Sequence, residues 1–344
     1  MTLPLPRTFA PMEAQLVDQL PTGPDWQYEP KWDGFRCLVF RDGDRVDLVS
    51  KAGKPLTRYF PDLVEVMRQV KAPRFVLDGE IVVPVDHNLS FDELLLRIHP
   101  AQSRVLKLAR QRPASYIAFD LLVDARGRAL VSKHLPERRK ALEAFATRSL
   151  GGVARVYVSP VATSTAVVRR WFGAVGDGLD GVIAKRRDVP YLSGDRSGMQ
   201  KIKNMRTAEC VVGGFRYGSK GRLVGSLLLG LYDDAGLLHH VGFTSNIKAA
   251  EKRELTKRLE KLVRPPGFTG QAPGGPSRWS TERSGQWKPL KPTLVVEVQY
   301  DHFSGGRFRH GTSFLRWRPD KSPRQCTMDQ VEQEGRSAMR LLKR

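Results

Sequence analysis

Long apolar runs are missing from this chain: no stretch comes near the roughly 20 apolar residues that a membrane span needs. Its opening, MTLPLPRTFAPMEAQ, lacks the basic and apolar blocks of a secretory signal, so an intracellular protein is expected. Cysteine is scarce. Cys37, Cys210 and Cys326 stand far apart, with neither the close pairs of a zinc site nor the even count of a disulfide framework, and they read as reduced core thiols. Internal repeats and long low-complexity tracts are also absent, which excludes a repeat solenoid. The remaining shortage is of acidic residues, with 36 Asp and Glu against 57 Lys and Arg.

What is there points to two domains, since 344 residues can bury two separate cores. The positive charge is uneven. Residues 1–200 hold 30 Lys and Arg against 23 Asp and Glu, and residues 201–344 hold 27 against 13. A net charge of +21 suits a polyanionic partner, because Lys and Arg displace condensed counterions from a phosphate backbone. Charge alone serves a well-solvated basic surface equally well.

Up to about residue 200, β-rich runs alternate with helical segments, the pattern of an α+β domain. Residues 35–40 and 45–50 flank Arg41-Asp-Gly-Asp44 as a hairpin, 75–85, 115–123 and 181–185 read as further strands, and 136–146 as a helix. The composition changes at Asn204-Met-Arg-Thr207. Beyond it, β runs at 210–215, 223–232, 238–243, 293–300 and 313–317 surround one charged helix at 249–262, which fits a small OB-type barrel. Residues 265–285 are rich in Pro, Gly and Ser, and 328–342 are expected to form a closing helix. The expected domains are residues 1–205 and 206–344.

Six short runs carry chemistry. Lys31-Trp-Asp33-Gly34-Phe35-Arg36, preceded by Glu29, sets a lysine among acids and an arginine just before a strand. Phe75-Val-Leu-Asp78-Gly79-Glu80 places a carboxylate in an apolar strand, which is costly without a partner and favours a functional role. Tyr116-Ile-Ala-Phe119-Asp120, Gly181-Val-Ile-Ala-Lys185-Arg186, Lys201-Ile-Lys203 and Arg316-Trp-Arg318-Pro-Asp320-Lys321 follow in that order. The set resembles the covalent nucleotidyltransferase superfamily of ATP-dependent DNA ligases and capping enzymes, whose first motif is Lys-x-Asp-Gly-x-Arg. More narrowly it is similar to the stand-alone bacterial DNA ligase C group and to the ligase domain of ligase D. The runs that carry this are Tyr28-Glu-Pro-Lys-Trp-Asp-Gly-Phe-Arg36, Gly225-Ser-Leu-Leu-Leu-Gly-Leu-Tyr-Asp233 and Val295-Val-Glu-Val-Gln-Tyr-Asp301.

The resemblance implies a nucleotidyltransferase (adenylation) domain followed by an OB-fold. It implies an enzyme that uses ATP with Mg2+ or Mn2+ to seal 5′-phosphate/3′-hydroxyl breaks in duplex DNA through a lysyl-AMP on Lys31. In that scheme Lys185, Lys201 and Lys203 disfavour the charged form of Lys31 and neutralise phosphoryl oxygens. Glu80 and Asp180 hold the metal. Phe119 stacks on adenine and Glu29 faces its amine. Arg36 grips the nucleotide or the nick 5′-phosphate bidentately, Lys51 also contacts DNA, and Arg318 and Lys321 meet the leaving pyrophosphate. The implied setting is the bacterial cytoplasm near the nucleoid, away from membranes, with a monomer working on nicked or broken DNA beside a Ku-like end binder and a repair polymerase.

Three positions depart from the family pattern: Asp180 stands where Glu is usual, Met199-Gln200 where an aromatic is frequent, and Lys51 where Arg is common. The 30 residues ahead of Lys31 leave no room for a further DNA-binding domain, so a minimal ligase is expected. Two alternatives stay open at this stage. One is an RNA ligase or capping-type guanylyltransferase, distinguished by labelling with ATP against GTP; the other is a catalytically silent OB-type binding protein, which would take no label.

Overall fold

Alternation of apolar side chains with period two builds the strands at the centre of the molecule, seen here in a computed structural model that describes residues 3–86, 88–175, 179–219, 221–274, 286–332 and 337–342. The chain divides into two compact units, Met1–Asn204 with Glu334–Arg344, and Met205–Gln333.

In the first unit β1 (Gln15–Leu16), β2 (Trp26–Pro30), β3 (Phe35–Asp42) and β4 (Arg45–Ser50) are followed by α1 (Pro61–Gln69) and β5 (Arg74–Val82). A small hairpin of β6 (Pro84–Val85) and β7 (Asn88–Leu89) leads to α2 (Phe91–Arg97), α3 (Gln102–Gln111) and β8 (Ser115–Val123). Then come α4 (Leu135–Ser149), β9 (Val156–Val158), α5 (Thr165–Val175), β10 (Gly181–Arg186) and β11 (Met199–Lys203). The expected hairpin is present, with Gly43 at φ +64° in its turn.

These strands form a five-stranded sheet, β4-β3-β5-β8-β9, and a four-stranded one, β1-β11-β10-β2. One face of the larger sheet presents Cys37, Val39, Phe75 and Leu77 to Leu63 and Met67 of α1 and to Leu142 and Phe145 of α4. Its other face presents Leu38, Phe40 and Val76 to Met12, Tyr191 and Met199. The smaller sheet packs Tyr28, Val182 and Ala184 against Val168 and Trp171 of α5. Its opposite face is therefore turned toward the larger sheet, and a polar pocket opens there.

In the second unit β12 (Arg206–Tyr217), β13 (Val224–Tyr232), β14 (Leu238–Thr244), α6 (Lys252–Glu260), β15 (Lys288–Pro289), β16 (Val295–Tyr300), β17 (Phe303–Ser304), β18 (Arg307–Phe308) and β19 (Ser313–Trp317) follow in order. The main sheet runs β14-β13-β12-β16-β19, with β15 also on β12. Bulges at Val212/Gly214 and Leu229/Gly230 coil it around Val211, Leu229 and Val296. The expected barrel is not closed by a ladder among the described residues. Its edges meet at one bridge, where Thr244 Oγ1 donates to the Thr312 carbonyl at 3.0 Å.

The three cysteines are buried free thiols. The closing helix expected over 328–342 is not formed by the described residues: Met328–Gln330 and Ala338–Leu341 are 3-10 turns, and 333–336 lie outside the described residues, as do 275–285 of the Pro/Gly/Ser-rich stretch. Ala338 and Leu342 instead bury against Trp32, Val82 and Ile117 of the first unit, an apolar docking that competes with helix continuation. No helix among the described residues is long and apolar enough to cross a membrane.

Candidate active site

Strand register assembles one wall of the pocket. Glu29 pairs with Ile183, which pairs with Lys201; Gln27 pairs with Lys185, which pairs with Met199. Register partners share a face, so these side chains stand together. Lys31 continues the row, its backbone N–H donating to the Gly181 carbonyl at 2.9 Å. Gly181 has φ +145°, and a Cβ there would lie 2.0 Å from the Ile202 carbonyl oxygen, so only glycine permits this approach. Gly34 has a similar reason, because a Cβ would lie 2.2 Å from the Ile81 carbonyl oxygen where the chain turns into β3.

The larger sheet supplies the other wall. Arg36 pairs directly with Glu80. Between β5 and β8 the register jumps from Asp78–Asp120 to Gly79–Ala118, which leaves Phe119 without a partner at a bulge. The bulge re-aims its ring into the pocket. Arg36 Cζ lies 4.8 Å and Lys185 Nζ 4.6 Å from the centre of that ring. The pocket is thus lined by Lys31, Glu29, Arg36, Lys51, Glu80, Phe119, Lys185 and Lys201, together with Glu13, Trp32, Asp33 and Met199. Lys203, opposite Gly181 on β11, stands beyond this lining, and Asp180 reaches the site through Lys31.

Charge in the pocket differs from the sequence expectation in one respect. Lys31 Nζ lies 3.0 Å from Asp180 Oδ2. Burial works against its charge, but Asp180, Asp33 and Glu80 outweigh burial and hold the Lys31 pKa above the ordinary lysine value. Depression by neighbouring cations falls on Lys201 instead, through desolvation first and then Lys51, Lys203, Lys31 and Arg196. Lys185 Nζ is buried 2.8 Å from Glu29 Oε1, which also accepts from Gln27 Nε2 at 3.1 Å. Among the described residues the second oxygen of Glu29 has no such partner.

The Glu80 side chain makes no hydrogen bond or ion pair among the described residues, and burial pushes its carboxyl from the ordinary 4.5 up to about 8 despite Arg36 and Lys31. The folded protein therefore holds a proton that the unfolded chain releases, so this group's contribution to stability falls as pH rises from 4.5 to about 8. Glu80→Gln is expected to raise the Tm of the chelator-treated protein at pH 8 by a few degrees and to match wild type near pH 4.5. Parallel melting curves at both pH values would remove this account of Glu80.

Residues 11–203 match the ATP dependent DNA ligase domain family and residues 220–321 the ATP dependent DNA ligase C terminal region. The chain belongs to the ATP-dependent DNA ligase family. The ligase is 44% identical to DNA ligase C of Mycobacterium tuberculosis over 351 aligned residues, covering 96% of each chain. It is 34% identical, over 87% of its own length and 37% of the relative's, to the multifunctional non-homologous end joining DNA repair protein LigD of the same species. Among solved structures, one from a structure-function study of Lig E DNA ligases shares the fold at a TM-score of 0.54, with 17% identity, over 90% of this chain and 99% of the other.

Several residues that contact the pocket lining of the ligase were not singled out by sequence. Asp78, fully buried, takes Arg36 Nε on Oδ1 at 2.8 Å and Arg36 Nη2 on Oδ2 at 2.7 Å. The Nε–Nη2 edge of Arg36 is therefore taken by Asp78, Nη2 also donates to the Met12 carbonyl at 3.0 Å, and Nη1 is the nitrogen left without a hydrogen bond among the described residues. Tyr191 donates to Asp78 Oδ2 at 2.6 Å and accepts from the Met12 N–H at 3.0 Å. Trp32 Nε1 donates to Ser159 Oγ at 3.0 Å, which anchors the residue after Lys31. Lys51 Nζ lies 3.1 Å from Glu13 Oε2, which Arg196 also contacts at 2.8 Å. The costly burial of Asp78 was a usable signal; Tyr191, Ser159 and Glu13 carried none.

Arg318 and Lys321 belong to the second unit. Within it, Arg318 Nη2 lies 2.7 Å from Asp320 Oδ2 and Lys321 Nζ 2.7 Å from Glu209 Oε2.

Proposed function

We propose that this pocket takes AMP from ATP onto Lys31 and passes it to the 5′-phosphate of a DNA break. One observation carries the reading: separate strands of two sheets bring a lysine, a ring at a bulge, four further cations and a partnerless carboxylate to one cavity. Lys31 Nζ, once neutral, attacks the α-phosphorus; the P–N bond forms and the α–β bond breaks, releasing pyrophosphate. Asp180 Oδ2, 3.0 Å away, is positioned to receive the proton that Lys31 must lose. Lys185 and Lys201 neutralise charge on the phosphoryl oxygens, Phe119 offers a face for adenine and the open oxygen of Glu29 an acceptor for its amine. In the later steps AMP passes to the 5′-phosphate, and the 3′-hydroxyl then displaces it to form the phosphodiester. Arg36 Nη1 and Lys51 are the cations assigned to the 5′-phosphate, and Arg318 and Lys321 those assigned to pyrophosphate.

Glu80 and Asp180 fit a divalent cation, because Glu80 is a partnerless half-buried carboxylate on the pocket wall and both offer the hard oxygen donors that Mg2+ or Mn2+ prefers. Bound there, the ion would supply charge neutralisation at the phosphates. We further infer a cytoplasmic monomer acting on nicked or broken duplex DNA, with an end-binding protein of the Ku type and a repair polymerase as partners; identity with a relative named for end joining supports this.

The test is labelling with ATP carrying radioactive α-phosphate, followed by a chase with nicked duplex. Label should appear on the protein from ATP and not from GTP, and leave it as the nick is sealed. Labelling by GTP, or none by ATP with metal, would rule the reading out.

A further inference from the structure

A charge cluster in the second unit surrounds the segment that ends β19. Glu209 on β12 stands directly opposite Glu297 on β16, and Glu297 opposite Arg316 on β19. Two carboxylates in register repel each other. Cations from one short segment answer them: Arg316 Nε lies 2.6 Å from Glu297 Oε2, Lys321 Nζ 2.7 Å from Glu209 Oε2, and Arg318 Nη1 bonds Glu209 Oε1 while lying 3.9 Å from Glu297 Oε2. Glu209 is held at its backbone, its N–H donating to Gln330 Oε1 at 3.1 Å and its carbonyl accepting from Gln330 Nε2 at 3.3 Å. Its side chain is only 18% exposed, so water screens these contacts incompletely. Each oxygen of Glu209 thus engages one of two cations, the arrangement that the two phosphoryl groups of a diphosphate would take.

We propose that Glu209 is an internal stand-in for pyrophosphate, a fixed carboxylate that pairs Arg318 with Lys321 and that the leaving diphosphate must displace to bind them. This rests on the assignment of Arg318 and Lys321 to pyrophosphate. Diphosphate carries more charge than one carboxylate and wins at saturation, but its affinity is lowered by the two contacts it breaks. The consequence is easier product release and less reversal of the first step. In that reversal a pyrophosphate oxygen attacks the AMP phosphorus, the P–N bond to Lys31 breaks, ATP reforms and the lysine nitrogen takes up a proton.

The experiment mixes full-length enzyme-AMP with inorganic pyrophosphate and follows ATP formation in a single turnover. Glu209→Gln, which keeps the size and removes the charge, is expected to lower the half-saturating pyrophosphate concentration about tenfold, the worth of two partly exposed ion pairs. Sealing of pre-adenylated nicks should keep its wild-type rate. Unchanged or weaker saturation in Glu209→Gln overturns the proposal and leaves Glu209 as scaffold. Should that variant fail to fold, Gln330→Ala decides, since freeing the Glu209 backbone should shift saturation the same way and no shift counts against it. Arg318→Ala separates the proposal from the reading beneath it. Reaction with ATP slowed about a hundredfold while pre-adenylated nicks are sealed normally supports the clamp. Equal slowing of both steps removes the clamp, whatever Glu209 does.

Discussion

Lys31→Ala is expected to reduce enzyme-AMP formation below detection and still to seal a nick that already carries a 5′-adenylate. On the proposed reading Lys31 supplies the one bond that the first step makes on the protein, and its neighbouring lysines are poorly placed to substitute. Lys185 is buried against Glu29, and Lys201 is on another strand, opposite Ile183 and displaced from the loop that carries Lys31. In the last step the 3′-hydroxyl is the nucleophile, so the requirement passes to the cations and carboxylates that remain. The substitution also removes the 3.0 Å ion pair to Asp180, a contact outside the apolar clusters of the first unit, so the fold should survive. Single-turnover rates of both steps, with circular dichroism on the variant, make the check. Loss of both steps in a folded protein would make Lys31 a structural residue and not the nucleophile.

Asp78→Ala should be the most damaging change away from Lys31, costing roughly 3–5 kcal/mol of stability, because it leaves the Arg36 guanidinium without its counter-ion. Arg36 is only 18% exposed and Asp78 not at all, so water cannot replace the lost carboxylate. Tyr191 would lose its acceptor as well. Arg36 would no longer be held over Phe119, so adenylylation and sealing should both fall. A double-mutant cycle is the measurement. Arg36→Ala with Asp78→Ala should be less destabilised than the sum of the two singles, since removing both partners leaves no buried charge unpaired. A single-variant cost under about 1 kcal/mol, the range of an exposed pair, would show that this ion pair does not hold the site.

Much of the ligase was readable as a string. The spacing Lys31-Trp-Asp33-Gly34-Phe35-Arg36, the later motifs in their order and the turn Arg41-Asp-Gly-Asp44 are local patterns, and local patterns need only the backbone periods and the side-chain chemistry to be interpreted. The α+β unit and the β-rich unit that follows it were legible for the same reason, as was the burial of three free cysteines. Other features depended on residues that meet only after folding. Tyr191 reaches Asp78 across 113 positions, and that contact with Met12 and Arg36 settles how much of the guanidinium is left for a ligand. The bulge that re-aims Phe119 belongs to the pairing of β5 with β8, and neither strand shows it alone. The sign of the Lys31 shift went against expectation because Lys185, Lys201 and Lys203 are prominent in the sequence, whereas in space Asp180, 149 positions away, is in contact. The docking of Ala338 and Leu342 beside Trp32 replaced an expected helix in the same way. Residue types and their order determined which chemistry the protein can perform; which charges touch, which edge of Arg36 is free and where the chain's last turns pack were decided by the tertiary structure, because Coulomb and packing energies depend on separation in space and sequence separation does not predict it.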